Sequence, residues 1–181
     1  MQRKRRTVTL APAHPGARVA CAFMGLAAGI RLWHYLAEPL TAEIALVHLG
    51  LPLAAAICFL LGLLWAGGRF ARPACTLSVV LGVTFFILKA QTFAPLHRAL
   101  CTLLYLAVLV LFNLTLWGYL PTKKLLYPLF GLPLLYHIFV EDTQLYFFAQ
   151  PPVPVWEWMP ELSVLCIMAG LLSLSFAIKV E

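Results

Sequence analysis

Six continuous apolar runs constrain this chain more than anything else in it. They cover residues 17–37, 44–66, 74–95, 99–120, 125–148 and 160–178. Roughly 20 mainly apolar residues in helical form cross the ~30 Å of hydrocarbon in a bilayer. Hydrocarbon offers nothing to backbone N–H and C=O groups, so a crossing segment must satisfy them internally. The runs do not alternate and are too long for barrel strands, which leaves the helix. The expected fold is all-α: a polytopic integral membrane protein, one domain over residues 17–181 built as a bundle of six transmembrane helices. The basic stretch 1–16 ahead of it reads as a disordered cytoplasmic tail touching anionic headgroups.

Composition excludes the main alternatives. Of 181 residues, 62% are hydrophobic and only 11% charged, and the mean hydropathy is +0.91. A soluble domain has no core large enough to hide that surface. The net charge of +6 does not indicate a nucleic-acid binder, because the basic residues are scattered between apolar runs instead of covering one face. MQRKRR followed by Val19 to Ile30 has the ingredients of a signal peptide. The polar spacer TVTLAPAHPGAR, and the lack of a small-x-small cleavage site before Arg31, favour an uncleaved first span. Cys21, Cys58, Cys75, Cys101 and Cys166 all lie in apolar runs without a C-x-x-C pair. They read as small packing residues and define no redox compartment.

Punctuation supports these boundaries. Thr41 suits an N-cap, Pro73 and Pro160 suit first helical positions, and Pro121 closes the fourth span. With the N-terminus inside, the cytoplasmic side carries Arg3, Lys4, Arg5, Arg6, Arg18, Arg69, Arg72, Lys123, Lys124 and Lys179, ten of the 13 basic residues. That asymmetry sets both termini in the cytoplasm of a cell-membrane protein. The external segment QPPVPVWEWMPE from Gln150 is expected to begin extended because of its prolines, with Trp156 and Trp158 as interfacial anchors.

The remaining charged groups share a depth. At 1.5 Å per residue, His137 lies about 18 Å and Glu141 about 24 Å along the fifth span. Arg31 and His34 fall about 20 and 24 Å along the first, and Lys89 about 22 Å along the third. His48 sits about 7 Å below the outer end of the second. Arg31, His34 and Glu38 lie on one helical stripe, with Tyr35 beside them, and His137, Glu141 and Gln144 lie on another. Charges in lipid cost several kcal/mol, so they face the bundle interior and pair, or snorkel to the surface. The candidate ligand-binding residues are therefore Arg31, His34, His48, Lys89, His137, Glu141 and Asp142, in a pocket at the outer third of the membrane. Natural pairs are Arg31 with Glu141 and Lys89 with Asp142.

Cofactor and catalytic signatures are weak. His137 and Glu141, at i, i+4, would need His48, His34 or His97 to complete a metal site. Ser163, Ser173 and Ser175 have no G-x-S-x-G context. No cofactor, metal or catalytic residue is assigned.

Cys21, Gly25 and Gly29 form a small-x-x-x-small stripe opposite Arg31. It serves either internal packing or docking of another membrane subunit. In length, span count and this stripe the chain is similar to the substrate-binding membrane subunits of energy-coupling-factor vitamin transporters. That likeness carries no residue across; it implies a six-helix bundle holding a small polar solute, with a partner subunit. Two other readings stand beside it: an intramembrane enzyme using His137 and Glu141 for metal or acid-base chemistry, and a non-catalytic accessory or assembly protein whose polar cluster fixes helix register.

Overall fold

The computed structural model describes residues 7–10, 14–37, 41–64, 70–91, 94–120, 122–136, 138–139 and 154–180. They form six helices: α1 (Pro15–Leu36), α2 (Ile44–Leu64), α3 (Ala71–Ala90), α4 (Pro95–Leu116), α5 (Leu126–Tyr136) and α6 (Val155–Ala177). Two short strands, β1 (Val8–Leu10) and β2 (Ile178–Val180), flank them. Five of the helices, all but α5, are long and apolar enough to cross a membrane. The chain is thus an all-helical protein with the build of a multi-pass membrane protein. The described part of α5 has 11 residues, and the rest of the expected fifth span, from 140 to 148, lies outside the described residues.

Local chemistry accounts for the helix ends. Pro15 and Pro95 open α1 and α4, where a missing N–H costs nothing. The His14 ring Nδ1 accepts from Gly16 N at 3.0 Å and caps α1. Thr41 Oγ1 accepts from Ile44 N at 3.3 Å, the expected cap of α2. Gly118 closes α4 at φ 76°, and Tyr119 N returns to Leu114 O at 2.8 Å. A left-handed residue at that place is where glycine is least strained. Two boundaries differ from expectation. Pro73 sits inside the first turn of α3, which begins at Ala71. α6 begins at Val155 after an extended Pro154, so VWEWM is helical and Pro160 lies within the helix.

Small residues set the packing. α1 turns a seam of Ala17, Ala20, Met24, Ala27, Arg31 and His34 inward, chiefly against α6. A Cβ on Gly170 would stand 3.4 Å from Ala20 O, so the two backbones run close. α2 and α3 approach as tightly, because a Cβ on Gly62 would lie 2.8 Å from Cys75 Sγ and 3.2 Å from Ala71 O. Polar side chains in the core return their hydrogens to helix carbonyls: Ser78 Oγ donates to Ala55 O at 2.7 Å, and Thr115 Oγ1 to Leu111 O at 2.9 Å. The outer surface is as oily as the core, with Leu96, Leu100, Leu103 and Val110 all exposed on α4. Hydrocarbon suits that surface, and water does not.

Part of the stretch expected to be disordered is ordered. β1 pairs antiparallel with β2, setting Val8 opposite Val180, Thr9 opposite Lys179 and Leu10 opposite Ile178. Val8 and Leu10 are buried and Thr9 is exposed, so the alternation of a strand seats two apolar side chains under the ribbon. Arg72 at the start of α3 donates to Val8 O at 2.6 Å, and Lys123 before α5 donates to Phe176 O at 2.9 Å. The starts of α1, α3 and α5 and the end of α6 therefore gather at one end of the bundle. Its opposite end holds the polar cluster.

Candidate functional site

Arg31 is the hub of that cluster. It is 2% exposed, so its guanidinium must find acceptors in the protein. Nε donates to Ser163 Oγ. Nη1 donates to His48 O at 2.7 Å and Nη2 to Pro160 O at 3.1 Å. One side chain on α1 thus ties α2 and α6 together. The local sequence explains why these acceptors are open. Ile44–Gly50, the opening of α2, winds as a π-helix, off the α-helical register, and Pro52 has no N–H to offer the carbonyl four residues before it, that of His48. Arg31 takes the vacancy. A guanidinium only donates, so the Ser163 hydrogen must go elsewhere. It goes to Pro160 O at 2.6 Å, closing a ring of three bonds. The cation also lies over Phe85, 4.9 Å from the ring centroid, and 5.8 Å from that of Tyr35.

Beside this ring stands an ion pair. Lys89 Nζ, on α3, donates to Glu161 Oε2, on α6, at 2.5 Å, and both side chains are half-buried at 18% and 19% exposure. It is the only salt bridge among the described residues. Glu161 engages Lys89 through Oε2 alone. His48 is half-buried, stacks on Tyr35 with centroids 6.3 Å apart and meets the edge of Phe85 at 6.5 Å. Its carbonyl holds Arg31, while its ring nitrogens make no hydrogen bond with described residues. The imidazole feels the charges of Arg31, Glu43, Lys89 and Glu161.

Of the sequence-derived candidates, Arg31, His48 and Lys89 come together here. His34 is 7% exposed on the same face of α1 and meets Tyr35 edge-on, ring centroids 4.8 Å apart. His137, Glu141 and Asp142 lie outside the described residues, as does Glu38, so the pairs Arg31 with Glu141 and Lys89 with Asp142 are not described. The bonds that are described go to α6 and, for Arg31, to the His48 carbonyl of α2 as well. Ser163, Glu161 and the Pro160 carbonyl were not among the candidates. Their signal was the run Pro160-Glu161-Leu162-Ser163, a charge and a hydroxyl beside a helix-interior proline.

His97 stands apart from this cluster. Its Nε2 lies 2.5 Å from Tyr136 Oη, joining α4 to α5. Among the described residues, Arg98 donates to Gln91 O at 3.5 Å. Among the described residues, no three His, Cys, Asp or Glu side chains converge as metal ligands would. The small-residue stripe also has a definite place. A Cβ on Gly25 or Gly29 would meet nothing within 4 Å, and both line an open groove of about 340 Å³ with Leu26, Ile30, Trp33 and Met159. Packing among the described residues does not use those glycines.

Comparison of the chain with protein-family models, characterised proteins and solved structures finds no match.

Proposed function

We propose that this protein is a small-solute binding or transport subunit of the cell membrane, with six crossings, cytoplasmic termini and a polar pocket in the outer third of the bilayer. The reading rests on one observation: groups that make no hydrogen bond with described residues, the His48 ring and Glu161 Oε1, share a level with Arg31 and Lys89 on four helices. Half-buried polar groups inside a membrane are costly unless they serve one another or a ligand. Mixed charge and an imidazole favour a zwitterionic or hydrogen-bonding solute over a simple ion.

The pairing of β1 with β2 supports an even number of crossings, since it brings the two termini to one end. Arg18, Arg72, Lys123, Lys124 and Lys179 lie towards that end, which favours its being cytoplasmic. The open face around Gly25 and Gly29, with Cys21 a turn before, is where a partner subunit would dock.

The test is a thermal-shift screen of the detergent-purified protein against amino acids, nucleosides and vitamins. A binder raises the midpoint by ligand linkage, and Glu161→Gln and His48→Ala abolish the rise. A rise untouched by both variants places binding elsewhere.

A second reading is favoured by Arg31, whose hydrogen bonds all go to groups of the chain itself. On it the cluster fixes helix register in a non-catalytic accessory or assembly protein. In that case no solute shifts the midpoint, and Glu161→Gln only lowers it.

A further inference from the structure

We infer that the cleft between α1 and α2, at the end that holds the paired termini, is a binding site for one anionic phospholipid. The cleft has a volume of about 370 Å³ and is lined by Ala17, Arg18, Cys21, Leu63 and Leu64. Its chemistry is divided along its length. Arg18 stands three residues into α1, about 4.5 Å from the helix start, where phosphates lie. Cys21, one turn deeper, and Leu63 and Leu64, the last described residues of α2, form an apolar wall. Leu64 is 77% exposed, a surface an acyl chain would cover.

Charge selects the lipid. Arg18 is exposed, and its guanidinium makes no hydrogen bond or ion pair with described residues. Arg72 and Lys123, at the same end, are engaged with the Val8 and Phe176 carbonyls. Arg18 is thus the cation among the described residues lining the cleft, and it can grip a phosphate with two parallel N–H groups. A zwitterionic headgroup carries its own cation and gains less from it.

Native mass spectrometry of the full chain, released from vesicles of equal phosphatidylglycerol and phosphatidylcholine, tests this. The wild-type protein is expected to retain one phosphatidylglycerol preferentially. Arg18→Gln reduces that retention about five-fold, the equivalent of about 1 kcal/mol for one basic residue at a membrane surface. Leu64→Asn, which spoils the apolar wall and leaves the charge, reduces it as well. Lys179→Gln, which removes a charge outside the cleft, leaves it unchanged. Equal retention of the two lipids, unchanged retention in Arg18→Gln, or an equal loss in Lys179→Gln overturns the inference.

Discussion

Arg31 of α1 donates to the carbonyl of His48, which lies in the π-helical opening of α2 four residues before Pro52, a residue with no N–H to offer it. An irregular stretch of one helix is thereby bonded by a charge from another. Replacing Arg31 by Met leaves His48 O and Ser163 Oγ without the donors that Arg31 supplies, while Pro160 O keeps the Ser163 hydroxyl, and lowers stability by about 2–3 kcal/mol. Adding Pro52→Ala to that variant returns an N–H to the His48 carbonyl and recovers about 1 kcal/mol. In the wild-type background the same substitution gives no such gain. Thermal unfolding in detergent of the four proteins measures the coupling.

The glycines divide into two classes with opposite responses. Gly62→Ala drives a methyl against Cys75 Sγ and the Ala71 carbonyl and costs about 1–3 kcal/mol. Gly25→Ala and Gly29→Ala meet open space and gain up to about 1 kcal/mol each from helix propensity. Gly25→Leu or Gly29→Leu leaves the isolated chain folded and, on the proposal that a partner subunit docks on this face, blocks it. Melting curves distinguish the two classes, and co-purification from membranes reports the loss of a partner.

The terminal ribbon is testable by its register. Thr9 and Lys179 are direct partners, and opposed strand residues have Cα atoms about 4.5–5.5 Å apart, within disulfide reach. Thr9→Cys with Lys179→Cys is expected to cross-link on mild oxidation in membranes, with peptide mapping locating the 9–179 bridge. Thiol reagents confined to the cytoplasmic side label both cysteines before oxidation. A shifted cross-link would refute this register, and labelling from the outside would refute the orientation.

How far the sequence revealed this arrangement depends on the kind of signal involved. Long apolar runs are dense and redundant, so the spans that became α1 to α4 were bounded to within a few residues. The buried side of α1 was also readable, because a charge at Arg31 has few places to go in an oily helix. The α6 half of the cluster was not. Reading Pro160 as a helix start made Glu161 a boundary acid, whereas α6 begins at Val155 and carries Glu161 into the bundle. Proline forbids one hydrogen bond, not a helix, and Pro160 turns its carbonyl to Arg31. Strands of three residues lie below the usual strand length of about five or six. No periodicity announces them, and only the partner at the far end of the chain makes Val8 and Leu10 a strand.

Ser163 is the member of the cluster whose role is purely as an acceptor for Arg31 and donor to Pro160. Ser163→Ala should cost about 1–2 kcal/mol, since it strands the Nε donor in a buried place. Ser163→Thr keeps the hydroxyl and should recover most of that loss. The same unfolding assay reads both.

The central claim is that polar groups of separate helices meet one another at one level. Lys89 and Glu161, 72 residues apart in sequence and 2.5 Å apart in space, test it most directly. Lys89→Met, Glu161→Gln and their combination form a double-mutant cycle. Each single variant removes one side of this ion pair, so the pair should be less damaged together than the sum of its parts, by about 1–2 kcal/mol. A cycle that closes to zero would mean the two side chains do not meet.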